Sequence, residues 1–210
     1  MPFQPHEHPV LPIRGLSGVL ERFHAPPARL SLLCGDSQSH LVGLLLGSAA
    51  RRPVAVVDGG MKFNSYTLAR IAPLLGVPPA ALLRRVHVTR AFTAFQAEAA
   101  VTVKLPRFAA SAGCTNAVLL DILETYYDEQ ISPFECRRSL GRMTAALRRL
   151  VAANVNVLLV AAGVSDPPPG KETLLALLAG AAERVLTLRP QEGEFLISEE
   201  GERSAQHGTQ

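Results

Sequence analysis

Eight residues, Gly35-Asp36-Ser37-Gln38-Ser39-His40-Leu41-Val42, lie between two apolar runs, "LSLLC" before them and "LLLG" after them. A glycine and a polar turn between a strand and a helix form a place where backbone amides can cradle a phosphate. The working pattern is G-x-x-x-x-G-K-[ST]. Its lysine reaches the β and γ phosphates and its hydroxyl holds Mg²⁺. Placed without gaps, Gly35 meets the first glycine, His40 stands at the second, Leu41 at the lysine and Val42 at the hydroxyl. Being apolar, Leu41 and Val42 are expected to turn into the core. Asp36, Ser37 or Ser39 are expected to cap the amides that a phosphate would occupy. A carboxylate at that helix end is favoured by the helix dipole and disfavours an incoming phosphate.

Other residues bear on the same chemistry. "AVLLD" is an apolar strand ending in Asp121, the form of a strand whose carboxylate holds the Mg²⁺ shell. Lysine occurs only at Lys62, Lys104 and Lys171, so a displaced phosphate lysine must be one of these. Lys62 and Lys171 each follow a predicted strand. Arg138, Arg142 and Arg149 recur opposite Leu140, Met143, Leu147 and Val151 on one predicted helix. That stripe suits nucleic acid or an acidic partner, and equally an ordinary solvated face. Lys171 is a further candidate for such contacts. Cys34, Cys114 and Cys136 are too widely spaced for a zinc site or a disulfide framework. The "HEH" at 6–8 lies in a proline-rich lead-in, and no metal site is expected.

These residues must be positioned by alternating elements. The apolar runs "RLSLLC", "PVAVVD", "RVHVTRA", "NAVLLDIL" and "VNVLLVAAG" are nearly continuous, as in strands buried on both faces of a parallel sheet. Helical patterns lie between them at 41–51, 65–75, 79–84, 94–105, 135–153 and 171–182. This alternation predicts an α/β sheet with right-handed crossovers. "RVLTL" and "EFLIS" flank a Glu-Gly pair that suits a hairpin, so an antiparallel C-terminal edge is expected. The predicted organisation is a lead-in over 1–12, one core domain over 13–200 and a disordered tail over 201–210. A net charge of +3 on 210 residues is too weak a bias to imply nucleic acid by itself. The apolar runs are too short to span a bilayer, so a cytoplasmic protein without membrane contact is expected.

In order along the chain, these segments resemble the core of the RecA/RadA recombinases, nearest to the archaeal and eukaryotic recombinases and their paralogues. "LSGVLERFHAPPARLSLLCGD" is similar to the family's approach to its phosphate loop. "VAVVDGGMKFNSYTLARIAPLLGV" resembles its next strand and helix, with Asp58, Phe63 and Ile71 on the pattern. "VHVTRAFTAFQ" resembles its third strand. The run from "AVLLDILETYY" to "VNVLLVAAGV" resembles the Mg²⁺-carboxylate strand (Walker B), the long helix and the strand after it. The resemblance implies a RecA-like P-loop NTPase fold with degenerate nucleotide motifs.

It also sharpens what is missing. The family's second strand ends Asp-Thr-Glu, whose glutamate activates water, and Gly60 stands in that place. The phosphate lysine, the Mg²⁺ hydroxyl and the catalytic carboxylate are therefore all replaced, and only Asp121 is kept. The family's later DNA-binding loop corresponds to "SDPPPGKETLL", short and stiffened by prolines. The expectation is a non-catalytic accessory subunit in DNA recombination or repair, with no cofactor and weak DNA contact at most. Its partner is a RecA-like ATPase, another repair factor or a second copy of the chain. The RecA-like accessory subunits of the Elongator complex are a precedent within the fold. The alternatives are an ATP- and Mg²⁺-binding ATPase with a displaced lysine, and an ATP-independent single-stranded DNA module.

Overall fold

The computed structural model of the protein describes residues 12–162 and 167–199. The "HEH" segment, most of the expected lead-in and the expected tail lie outside them. In chain order the elements are β1 (Ile13–Arg14), α1 (Leu16–His24), β2 (Leu30–Gly35), α2 (Ser39–Ser48), β3 (Val54–Asp58), α3 (Ser65–Ile71), α4 (Pro79–Leu83) and β4 (Val86–Arg90). A 3₁₀ turn (Pro73–Leu75) links α3 to α4, and after β4 come α5 (Ala94–Ala99), a π turn (Ala100–Lys104), α6 (Leu105–Ala112), β5 (Asn116–Leu120), a 3₁₀ turn (Ile122–Tyr126) and α7 (Pro133–Ala152). β6 (Asn156–Ala162), α8 (Leu174–Ala181), β7 (Arg184–Gln191) and β8 (Glu194–Glu199) complete them.

All eight strands join one sheet in the order β1-β8-β7-β2-β6-β5-β3-β4. The sheet is parallel apart from the β7/β8 pair, which closes through Glu192 and Gly193, at φ 47° and 82°. Positive φ at both turn residues matches the hairpin's right-handed twist. The α/β class and the antiparallel C-terminal pair agree with the sequence reading. β1 is too short for periodicity to reveal; it joins the edge by pairing in parallel with β8.

Successive residues of the central strands feed opposite layers. In β5, Ala117 and Leu119 enter the core beneath α5–α8, whereas Val118 and Leu120 enter the one beneath α1–α4. Period-two geometry thus turns a continuous apolar run into two cores. α2 is apolar all round because it is buried nearly all round. A Cβ on Gly43 would lie 2.6 Å from Val160, and one on Gly47 2.4 Å from Val118. Only glycine lets this helix lie so close to the sheet.

α7 begins in a capping box. The Ser132 hydroxyl accepts from the Glu135 amide, and the Glu135 carboxylate accepts from the Ser132 amide. Leu140, Met143 and Leu147 are buried and Val151 is half-buried, so the expected inner face holds. The helix predicted at 94–105 instead continues to Ala112 through the π turn. Pro106 cannot donate to the Thr102 carbonyl, and the turn before it widens rather than ending the helix.

Candidate functional site

β2, β6, β5 and β3 are neighbouring parallel strands and end along one carboxyl edge of the sheet. That edge is where open parallel sheets bind ligands. The segment 35–42 occupies it. Gly35 has φ 122°, and a Cβ there would lie 2.0 Å from the Leu188 carbonyl oxygen, so the first position of the pattern requires glycine. Past it, the amides of a would-be phosphate cradle are spent within the chain. Asp36 N–H donates to Leu188 O at 3.1 Å, and Gln38 N–H to Asp36 Oδ1 at 2.9 Å. Ser39 N–H donates to Asp36 O at 2.9 Å and His40 N–H to Ser37 O at 3.5 Å.

Of the three caps expected, Asp36 therefore does the work. Ser37 Oγ donates to the Asp36 carboxylate at 3.2 Å. Ser39 is buried, and its hydroxyl has no partner among the described residues. Leu41 and Val42 are buried, as their apolarity predicts.

His40 has a role that the spacing did not disclose. Its Nε2 lies 2.5 Å from Asp121 Oδ2, and its Nδ1 donates to Ser37 O at 2.9 Å. Both ring nitrogens face oxygen partners, a backbone carbonyl at Nδ1 and a carboxylate at Nε2. The second Asp121 oxygen accepts from Ala162 N–H at 2.8 Å. Asp121 itself is in left-handed backbone conformation, φ 42°, and only 3% exposed. Both oxygens of the Asp121 carboxylate are thus held by the protein.

The strand-β3 side is equally filled. A Cβ on Gly60 would stand 2.6 Å from Asp121 Cβ, and one on Gly59 2.7 Å from Ile122 Cα. Positions 59 and 60 are therefore too tight for a side chain. Asp58, fully buried, accepts from Lys62 N–H at 2.9 Å and Phe63 N–H at 3.1 Å, with Arg90 Nε at 3.5 Å. Asp58 thus orders the loop after β3. Lys62 is exposed, with its stem alongside Gly60.

The proposed contact residues divide. Lys171 is corrected: it is 2% exposed, and its ammonium donates to the carbonyls of Tyr126 at 2.8 Å and Asp128 at 2.5 Å. It clamps the segment after β5 and presents no charge to a ligand. Arg142 is exposed but forked onto Glu98, at 2.6 and 2.7 Å, and the same carboxylate accepts from Ser139 Oγ at 2.5 Å. The Arg142 hydrogen bonds hold the Glu98 carboxyl below its ordinary range. Arg138 and Arg149 remain exposed on α7. Beneath this cluster the Tyr126 hydroxyl, bonded to Ser139 Oγ at 2.8 Å, is pushed up to about 12 by burial.

Among the described residues no three His, Cys, Asp or Glu side chains gather into a metal site, and no helix is long and apolar enough to cross a membrane. Searches with the sequence find no matching family model and no matching curated protein.

Proposed function

We propose that the chain is a RecA-like recombinase paralogue without nucleotide chemistry, acting in the cytoplasm as an accessory interaction subunit in DNA recombination or repair. One observation carries this reading: the phosphate position is closed from within. The amides at 36 and 38–40 are hydrogen-bonded inside the protein, and Asp121 is held by His40 and Ala162. A nucleotide entering there must break these bonds without a lysine or hydroxyl to replace them. The α/β sheet and the order of the sequence segments support the family assignment. The partner on this reading is a RecA-like ATPase, another repair factor or a second copy of the chain.

The test is calorimetric and thermal-shift titration of the full chain with millimolar ATP and Mg²⁺. No binding and no shift are expected. ATP hydrolysis above background that disappears in Asp121→Ala would sink the proposal. Affinity capture from the native cell should then recover a recombinase-like ATPase or another repair factor.

A second reading, an ATPase with a displaced lysine, is favoured by Lys62, whose stem lies beside Gly60 at the carboxyl edge. It predicts ATP binding that Lys62→Ala removes. The single-stranded DNA reading rests on Arg138 and Arg149, and predicts affinity that falls steeply with salt.

A further inference from the structure

A sizeable cavity lies far from the phosphate-loop position, at the opposite, amino-terminal end of the sheet. It has a volume of about 590 Å³ and opens between the C-terminal halves of α6 and α7, above the turns that lead into β5 and β6. Its walls are apolar and mostly small: Ala109 and Ala110 from α6, Ala146 and Leu150 from α7, and Val155. Alanine at these wall positions leaves two adjacent helices with a hollow that larger side chains would fill, whereas protein interiors are normally close-packed.

Two further features single it out. The π turn Ala100–Lys104 widens the helix where Thr102 and Pro106 reach the cavity, and such turns concentrate at functional sites. Arg149 stands in the lining, which contains no acidic residue, and makes no ion pair with a described residue. An apolar hollow of this size with a single unmatched cation has the composition of a small-ligand pocket.

We propose that this cavity binds a small amphiphilic organic anion, of the class of medium-chain carboxylates. Its apolar body packs on Ala109, Ala146, Leu150 and Val155, and its carboxylate pairs with the Arg149 guanidinium, whose planar fork fits two oxygens. The site is independent of the nucleotide position and of the accessory role proposed above.

The experiment uses the full chain and anilinonaphthalene sulfonate, a fluorescent apolar anion, displaced by decanoate or by uncharged decanol. Saturable dye binding that decanoate displaces is expected. Ala110→Phe, at an exposed wall position, should abolish it while the circular-dichroism melt is kept. Should that variant not fold, Ala153→Phe closes the cavity from α7 and serves in its place. Arg149→Leu should weaken decanoate by about tenfold and leave decanol unchanged, since only the anion uses the guanidinium. Dye binding that is absent, indifferent to decanoate or untouched by the wall substitution overturns the site. Equal weakening of decanoate and decanol overturns the role of Arg149.

Discussion

His40 and Asp121 are 81 positions apart, and their pairing is the main residue-level finding. Removing the imidazole leaves a buried carboxylate oxygen without its donor. His40→Ala is therefore expected to destabilise the protein by about 2–3 kcal/mol, read from its urea midpoint. The double-mutant cycle with Asp121→Ala should return a coupling of about 1–3 kcal/mol. Additive effects would mean the pair does not act as a unit. Gly60→Glu tests the close packing after β3. Its Cβ must displace Asp121 Cβ, so it should lower stability without creating ATPase activity. That Leu41 packs inward was legible from its apolarity. That His40 caps Asp121 was not, because neither residue type signals a partner so far away in the chain.

At the level of elements, α7 and α5 are joined through Glu98, Ser139 and Arg142. Arg142 holds the Glu98 carboxyl below its ordinary value. A depressed carboxyl stabilises the fold above its unfolded value, and that contribution disappears as pH falls through the folded one. Stability should therefore drop on acidification through the acid range, and Glu98→Gln should lose that part of the slope when melts are compared from neutral to acid pH. Ser132→Ala removes the hydroxyl of the capping box and should cost about 1 kcal/mol in a denaturant titration. The arginine stripe was visible from helical spacing. Spacing could not show that Arg142 is bonded directly to Glu98 while Arg138 acts on it through charge alone, since Glu98 lies on another helix. Lys171 is the same lesson in reverse. A lysine in a polar, proline-rich loop reads as a candidate for ligand contact, yet two carbonyls of the segment after β5 draw it inside.

For the whole molecule, one sheet serves two apolar layers, so the layers should not unfold separately. Leu158 and Leu159 are neighbours in β6 but enter opposite cores. Leu158→Ala and Leu159→Ala should each lower the same single circular-dichroism transition by about 2–5 kcal/mol. Two separated transitions in either variant would refute the shared core.

The sequence by itself determined the α/β class and the antiparallel C-terminal pair. Those follow from local composition: continuous apolar runs and a Glu-Gly turn. Only the tertiary structure decided how the polar groups after β2 and β5 are satisfied. Asp36 satisfies the loop amides because the turn folds back on it, and His40 reaches Asp121 because β2 and β5 both flank β6 and end on the same edge. It also decided which cations are spent and where a hollow remains between α6 and α7. Such outcomes depend on groups distant in sequence being brought within hydrogen-bonding range, and no local pattern encodes that distance.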